Sequence, residues 1–159
     1  MGKELSASAK KVQDALKSLG ISCEVLELPS STRTAQEAAD SVGCEVGQIV
    51  KSLIFKAKQT ERAILVVASG SNRVNEKKLS EWMSEPVGRA DADFVREKTG
   101  FAIGGVPPVG HKEDLVTFID EDLFGYETIW AAAGTPHAVF KLTPDELKQM
   151  TGGKTVSVK

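Results

Sequence analysis

The sequence is poor in several residue types on which common protein classes depend. Its 159 residues include two cysteines, two histidines and one tyrosine, and aromatic residues make up 6% of the chain. Two cysteines exclude a scaffold held by several disulfide bonds, and a chain of this length can bury a core without them. No apolar run approaches the ~18 residues of a membrane-spanning helix, and the first residues lack the apolar stretch of a signal peptide. We therefore expect a cytoplasmic protein with no membrane partner.

The usual arrangements of catalytic and metal-binding residues are also missing. His111 and His137 lie far apart in the sequence, whereas a catalytic zinc ion usually needs three protein ligands. There is no Gly-x-Ser-x-Gly nucleophile motif, and the glycines near the C-terminus are not spaced as a phosphate-binding loop. Cys44 and a histidine could form a nucleophile and base, but a partly buried structural cysteine is the favoured interpretation. We expect no metal ion and no cofactor.

Charge of one sign is not in excess, since 20 Lys and Arg oppose 22 Asp and Glu for a net charge of −2. This balance argues against a protein that binds DNA or another long polyanion nonspecifically through a large net positive charge. The distribution is uneven, however. Residues 51–98 carry ten basic and seven acidic side chains, whereas residues 1–50 carry five and seven, and residues 99–159 carry five and eight. The middle segment therefore permits contact with a nucleic acid, although a solvated lysine-rich face would give the same count.

Apolar spacing and capping residues predict five helices. Residues 5–19 carry apolar side chains at steps of four and three, the spacing of one buried helical stripe, and a glycine follows directly. Residues 34–37 and 143–146 form capping boxes, so a helix begins at each. Asn75 and Asp91 are suited to cap two more helices.

Short runs rich in Ile, Val, Leu and Phe predict strands between these helices. Two of the runs flank a polar segment and form a hairpin. The late strands follow one another too closely for regular β-helix-β crossovers, which disfavours a doubly wound parallel sheet. We expect a single α+β domain over residues 1–159, with a mixed or antiparallel, bent, barrel-like sheet surrounded by helices. The predicted strands cover residues 23–28, 52–57, 63–68, 116–119, 128–132 and 138–142.

Three segments are unusual for a purely structural domain. Lys51 lies at the entrance of an apolar strand, where a lysine usually reaches solvent, but an ammonium turned into a pocket binds a phosphate or a developing oxyanion. Residues 104–111 combine three glycines with two prolines, which suits either a close approach to a ligand or a tight turn. Gly134 and His137 follow another apolar strand, where a lone histidine is more often structural.

Together these segments resemble the YbaK-like editing domains that are associated with prolyl-tRNA synthetase. The run IVKSLIF at residues 49–55 resembles the lysine-bearing strand of that family. The run TGFAIGGVPPVGH at residues 99–111 resembles its Gly-x-x-x-Pro substrate loop, and AGTPH at residues 133–137 resembles its closing glycine motif. The order and spacing of the three agree over nearly the whole chain. The family fold is a small α/β domain with a mixed, bent sheet and surrounding helices.

The resemblance implies a free-standing trans-editing deacylase that hydrolyses the ester of a mischarged tRNA, above all tRNA-Pro carrying a small wrong amino acid. Its partners would be the acylated 3′ end of the tRNA and, as a candidate, prolyl-tRNA synthetase. Cysteine, alanine, serine and threonine esters all fit the family. By the same resemblance, the catalytic residues would be Lys51, Gly104, Gly105 and His137. The residues that bind the substrate would be Val106, Pro107, Pro108, Gly110, His111 and Gly134.

Such an enzyme needs neither a metal ion nor a protein nucleophile, because an aminoacyl ester is already activated. Backbone donors and one cation suffice to stabilise the developing oxyanion, and losing one such donor typically costs ~10²–10³ in rate. The resemblance implies that the ribose hydroxyl of the tRNA or the side chain of the substrate assists. Two alternatives stay open. One is a non-catalytic module of the same fold that binds a small ligand or docks on a synthetase, and the other is a hydrolase of small activated esters.

Overall fold

Five helices form within the part of the chain that the computed structural model describes, which comprises residues 5–29, 31–32, 34–113 and 115–159. Each follows a polar residue whose side chain accepts a hydrogen bond from a backbone N–H of the first turn, which satisfies a donor without a partner inside the helix. These capping residues are Ser6, Thr34, Asn75, Asp91 and Thr143. The helices are α1 (Ala7–Ser18), α2 (Ala35–Val42), α3 (Glu76–Met83), α4 (Ala92–Thr99) and α5 (Pro144–Thr151).

The described residues also form eight strands, and two short 3-10 turns precede the second and sixth strands. The turns cover Val46–Gln48 and Glu121–Gly125. The strands are β1 (Val25–Glu27), β2 (Ile49–Ala57), β3 (Ala63–Ser69), β4 (Val87–Arg89), β5 (Val116–Asp120), β6 (Ile129–Ala132), β7 (Ala138–Leu142) and β8 (Lys154–Val156).

All eight strands belong to one mixed sheet in the order β1-β7-β6-β2-β3-β5-β8, with β4 as an additional partner of β2. The pairs β2–β6, β3–β5 and β5–β8 are parallel, whereas the other four pairs are antiparallel. The terminal strands β1 and β8 do not pair with each other in the described part of the chain, so the sheet is not closed into a barrel.

Strand β3 lies at the centre of the molecule, and every one of its residues is buried. Because side chains alternate across a strand, Leu65 and Val67 face one side of the sheet while Val66 and Ala68 face the other. The first side packs against α1, α4 and α5, and the second packs against α3. A sheet covered on both faces buries near-continuous apolar runs, which is why residues 63–68 read as a central strand.

The outer edge of β2 is paired only at its two ends. Ile49 and Val50 pair with β6, and Phe55 through Ala57 pair with β4. On that edge residues 51–54 have no strand partner among the described residues. The sheet therefore contains a gap about four residues long, directly beside Lys51.

The structure confirms the expected mixed α+β sheet with helices on both faces, the hairpin of β2 and β3, and the five capped helices. Two strands were not predicted, β4 and β8, and each is three residues long. Runs so short carry no measurable alternation of apolar and polar residues. No helix of the described residues is long and apolar enough to span a membrane.

Phe140 and Leu26 provide a matched test of the core on two adjacent strands. Phe140 in β7 is fully buried, whereas Leu26 in its partner β1 is 40% exposed. Phe140→Ala is expected to lower the free energy of unfolding by about 3–5 kcal/mol through lost burial and the cavity left behind. Leu26→Ala is expected to change it by about 0.5 kcal/mol or less. Urea denaturation of both variants checks the difference, and equal losses would contradict the placement of the core.

Candidate active site

A cavity of about 710 Å³ opens where the outer edge of β2 is unpaired. Its lining comes from α2 and the residues before it, from β2, from β6, from residues 71–76 after β3, from the end of β4 and from the segment around Gly104, with single residues of α4 and β7. Most of the lining is apolar, and the charged side chains that the described residues contribute to it are Lys51, Arg73, Glu76 and Arg89. A concave, mostly apolar site with a few convergent polar groups is the usual form of a small-molecule site.

Lys51 projects from β2 and is held by the turn that follows β3. Its Nζ donates a hydrogen bond to the backbone carbonyl of Asn72 at 2.5 Å. An ammonium carries three N–H donors, so two are left for other acceptors. Burial lowers the pKa of Lys51 from its usual value, the charge of Arg73 lowers it further, and the charge of Asp120 opposes both. The site thus presents a partly desolvated cation.

Asn72 links Lys51 to a carboxylate at the end of β5. The side chain of Asp120 is fully buried and accepts hydrogen bonds from the backbone N–H of Ser69 at 3.0 Å and from Asn72 Nδ2 at 2.8 Å. Its second oxygen accepts one from the backbone N–H of Asp122 at 2.9 Å. A buried carboxylate is stable only when its oxygens are satisfied in this way. Asp120 therefore fixes the turn whose carbonyl holds Lys51.

The same turn is tied to the start of β2. The Ser69 hydroxyl donates to the carbonyl of Gly47 at 2.7 Å, and the backbone N–H of Gly70 donates to the carbonyl of Ile49 at 2.7 Å. A Cβ on Gly70 would lie 2.3 Å from the carbonyl of Val46, so this approach requires glycine. The turn after β3 is thus held by hydrogen bonds on two sides, to the end of β5 and to the residues around the start of β2.

The glycine-proline loop contributes to the cavity through only part of its length. Gly104 and Val106 line it. Gly105 lies behind them, where its carbonyl accepts a hydrogen bond from the N–H of Gly134 at 2.9 Å. A Cβ on Gly105 would lie 2.9 Å from the Cα of Thr135, so glycine permits two backbones to pack together here.

The remainder of that loop lies outside the cavity lining. Pro107 and Pro108 are buried, and Gly110 takes a positive φ of 82°. The ring Nε2 of His111 lies 2.6 Å from the carbonyl of Pro107, and because a carbonyl only accepts, Nε2 carries the proton. Burial lowers the pKa of His111, while this hydrogen bond partly opposes the shift. His111 thus closes the loop across four residues.

The third predicted segment supports the loop and does not reach the cavity lining. Gly134 has a φ of 95°, and a Cβ there would lie 2.8 Å from the carbonyl oxygen of Ser8, in the first turn of α1. His137 is exposed, and its carbonyl accepts a hydrogen bond from the N–H of Leu28 at 2.7 Å. Of the ten predicted site residues, the cavity lining brings together Lys51, Gly104 and Val106.

Sequence reasoning missed the charged residues that share the cavity with Lys51. Arg73 and Glu76 follow β3, and Arg89 ends β4. A signal for Arg73 was present, because the predicted hairpin places the end of β3 beside the start of β2 and hence beside Lys51. No comparable signal existed for Arg89, since the pairing of β4 with β2 is a tertiary feature.

Neither cysteine offers an activated nucleophile. Burial raises the pKa of the Cys23 thiol to about 11, with a further contribution from the Glu146 carboxylate. Burial also raises the pKa of Cys44, aided by Glu45. The thiolate is the reactive form, so both residues are held in the unreactive one. Within the described residues, no group of three or more His, Cys, Asp or Glu side chains is arranged to hold a metal ion.

Comparison with known sequences gives a consistent result. The family profile of the aminoacyl-tRNA editing domain matches residues 29–150. The chain is 31% identical over 131 residues to the uncharacterised protein YwhH of Bacillus subtilis, covering 82% of this chain and 83% of YwhH. It is 26% identical over 126 residues to EbsC of Enterococcus faecalis, a candidate Cys-tRNA(Pro)/Cys-tRNA(Cys) deacylase, covering 79% and 76%. A match to the proline–tRNA ligase of Limosilactobacillus fermentum, 33% identical over 96 residues, covers 58% of this chain and 17% of the ligase.

Solved structures agree with these sequence matches. The crystal structure of a candidate trans-editing enzyme for prolyl-tRNA synthetase has a TM-score of 0.93 and 51% identity, with 98% of this chain and 99% of that chain covered. The crystal structure of the hypothetical protein APE2540 has a TM-score of 0.86 and 32% identity, with 93% and 98% covered. The fold described above is thus shared along nearly the full chain.

Substitution of Asp120 tests the electrostatics around Lys51. Asp120→Asn is expected to lower the pKa of Lys51 further, because Asp120 supplies the charge that opposes burial and Arg73. The pKa is measured by NMR from the chemical shift of the Lys51 Cε as a function of pH. The signal is assigned by its disappearance in the Lys51→Arg variant. Glu76→Gln is the matched control, since Glu76 lines the cavity but contributes no shift to Lys51, and it should leave the titration in place. An unchanged Lys51 titration in folded Asp120→Asn would contradict this arrangement.

Proposed function

The chain belongs to the aminoacyl-tRNA editing domain family, and from this we propose that it is a trans-editing deacylase for a mischarged tRNA. The observation that carries the proposal is the meeting of Lys51, Gly104 and Val106 in one cavity beside an open strand edge. The cavity is large enough for an acylated nucleoside, and its lining combines apolar walls with the partly desolvated ammonium of Lys51. We assign the aminoacyl end of the substrate to this cavity.

In the proposed reaction, water attacks the ester carbonyl that links the amino acid to the terminal ribose of the tRNA. The carbonyl oxygen becomes an oxyanion, and the ester bond then breaks to give the free amino acid and a tRNA with its ribose hydroxyl restored. The Lys51 ammonium donates a hydrogen bond to that oxyanion. Donors that are already in position need no reorganisation as charge develops, which makes such stabilisation effective in a partly dry site.

A deacylase of this kind is needed because a single binding pocket discriminates poorly between similar amino acids. A pocket that tells amino acids apart by one methylene gains only about 1–3 kcal/mol, which is too little for accurate translation. A second pocket that admits smaller amino acids and excludes the correct one supplies the remainder. The apolar walls of the cavity suit a small, uncharged side chain. We propose alanine, serine, threonine and cysteine esters as the candidate substrates.

Charge in the cavity supports contact with the 3′ end of a tRNA. Among the described residues, its lining carries three cations, Lys51, Arg73 and Arg89, against one carboxylate, Glu76. Arg73 and Arg89 are exposed, as expected of side chains that meet the phosphates next to an acylated nucleotide. An enzyme that touches only this end needs few phosphate contacts, which accords with a net charge of −2.

The relatives suggest tRNA-Pro as the tRNA and prolyl-tRNA synthetase as a protein partner. One similar structure is described as a candidate trans-editing enzyme for that synthetase, and one stretch of proline–tRNA ligase resembles this chain. We therefore propose that the protein edits tRNA-Pro as a free-standing chain, in the cytoplasm, where translation supplies its substrate.

Deacylation assays test the proposal directly. Purified protein is expected to release the amino acid from tRNA-Pro charged with at least one of alanine, cysteine, serine or threonine. Lys51→Ala is expected to lower the rate about 10²-fold or more, because the cation that stabilises the oxyanion is lost. Lys56→Ala is the matched control, since Lys56 lies on the same strand but outside the cavity lining, and it should retain the wild-type rate.

Three outcomes would count against the proposal in different ways. Full activity of Lys51→Ala would remove the role assigned to Lys51. Binding of the charged tRNAs without turnover would favour a non-catalytic module of the same fold. Equal turnover of aminoacyl-adenosine esters and charged tRNA would favour a hydrolase of small activated esters.

A further inference from the structure

The main-chain groups of β2 alternate between its two edges, and the hydrogen bonds at both ends of the β2–β3 ladder fix which residues face which edge. The N–H of Gly70 donates to the carbonyl of Ile49, and the N–H of Ala57 donates to the carbonyl of Arg62. The odd-numbered residues of β2 therefore bond to β3. On the other edge, the N–H of Lys58 donates to the carbonyl of Pro86, which assigns the even-numbered residues to that side.

Four even-numbered residues of β2 thus face the outer edge, and two of them have strand partners. Val50 pairs with β6, and Lys56 pairs with β4. Ser52 and Ile54 fall in the gap between those strands. No hydrogen bond to the N–H of either residue, or to the C=O of Ser52, forms within the described part of the chain. Both residues line the cavity. The cavity wall therefore offers two main-chain donors, the N–H groups of Ser52 and Ile54, and one acceptor, the C=O of Ser52, in the spacing of a β-strand edge.

The side chain of Ser52 adds a further unsatisfied group at the same place. Its Oγ is buried, and it has no hydrogen-bond partner among the described residues. Buried polar groups in proteins are nearly always hydrogen-bonded, so an exception in a cavity wall calls for a partner from outside the chain. The hydroxyl lies on the face of β2 opposite the Lys51 side chain, because adjacent residues of a strand point to opposite faces.

We propose that the open edge of β2 at Ser52 and Ile54 is the subsite for the aminoacyl group, which binds there as one residue of a strand that the sheet lacks. This inference rests on the proposed function, because it takes an aminoacyl ester as the ligand. The α-ammonium of the amino acid donates to a strand carbonyl, and its ester carbonyl accepts from a strand N–H. Ser52 Oγ completes the contact with the same end of the substrate.

The chemistry of the ligand matches that of the edge. An esterified amino acid carries a donor on its nitrogen and an acceptor on its carbonyl, which is the pattern that one strand residue presents to a neighbouring strand. Extended peptides bind exposed sheet edges by the same main-chain pairing. Here β6 and β4 border the open edge on both sides, so the gap admits about one residue and excludes a longer peptide.

The open edge also divides the substrate between the two faces of the sheet. Lys51 and Arg73 lie on the side of the turn after β3, whereas Ser52 lies on the side of Val106 and the glycine-proline loop. The terminal ribose and its phosphate therefore occupy the cationic side, and the amino-acid side chain occupies the apolar side. Recognition through main-chain groups fixes the shared part of every amino acid and leaves selection by size to the apolar walls.

Amide hydrogen exchange tests the subsite at single residues. The probe is 3′-(L-alanylamino)-3′-deoxyadenosine, in which a stable amide replaces the ester, together with its seryl and cysteinyl counterparts. At saturation, exchange at the N–H groups of Ser52 and Ile54 is expected to slow by tenfold or more. Lys51 and Leu53 are interleaved controls on the same strand, since their N–H groups bond to β3 and their exchange should stay slow with and without the probe.

A variant adds a second measurement. Ser52→Ala is expected to weaken binding of the probe about tenfold, while the midpoint of unfolding stays the same or rises, because the hydroxyl has no partner in the free protein. Ser22→Ala, at an exposed position outside the cavity lining, should leave both quantities unchanged.

The outcomes separate this inference from the function on which it rests. Probe binding and deacylation without protection at Ser52 and Ile54 would overturn the subsite and leave the deacylase intact. A lower unfolding midpoint for Ser52→Ala with unchanged binding would assign the hydroxyl to the core and also overturn its role. Failure of every probe to bind, together with no release of amino acid from any charged tRNA, would overturn the proposed function itself.

Discussion

The candidate site depends on one constraint, the change of partner along the outer edge of β2. A parallel strand, β6, ends its pairing at Val50, and an antiparallel strand, β4, begins its pairing at Phe55. Both belong to the same sheet, but β6 runs parallel to β2 and β4 antiparallel to it, and neither extends to residues 51–54 in the described part of the chain. Strand β2 stays regular across the gap since its other edge is bonded to β3 throughout. The interruption therefore opens a cavity and leaves the central hairpin intact.

A buried carboxylate holds the second side of this cavity in place. Asp120 accepts hydrogen bonds from Ser69, Asn72 and Asp122, and through Asn72 it fixes the carbonyl that binds the Lys51 ammonium. Its negative charge also offsets the cost of keeping a cation in a partly dry site. Lys51 is thus placed by the end of β5, which lies far from it in the sequence. The position and the charge of the lysine are set by the same residue.

Local signals in the sequence were sufficient for most of the fold. Each helix begins at a residue whose side chain caps it, and the β2–β3 hairpin follows from two apolar runs around a polar turn. Lys51 was identified as a candidate because a charged residue interrupts such a run. The three-residue strands β4 and β8 gave no signal, since their pairing is decided by tertiary contacts.

Glycines were harder to interpret than charged residues. Gly104 lines the cavity, but Gly105 and Gly134 are required because backbones pack against each other behind it. A glycine is found both where a ligand approaches the backbone closely and where two backbones pack together, and the sequence alone does not distinguish the two cases. The gap in the sheet could not be predicted from the sequence either. It results from where β6 and β4 end, and no property of residues 51–54 themselves indicates it.

The central claim is that the gap in the sheet holds the acylated end of a tRNA. A crystal structure of the protein with 3′-(L-alanylamino)-3′-deoxyadenosine tests it most directly. We expect the alanyl group along β2 between β6 and β4, with its carbonyl oxygen within hydrogen-bond distance of Lys51 Nζ or of the Ser52 N–H. An analogue bound at another surface, with the gap left unfilled at saturating concentration, would contradict the account.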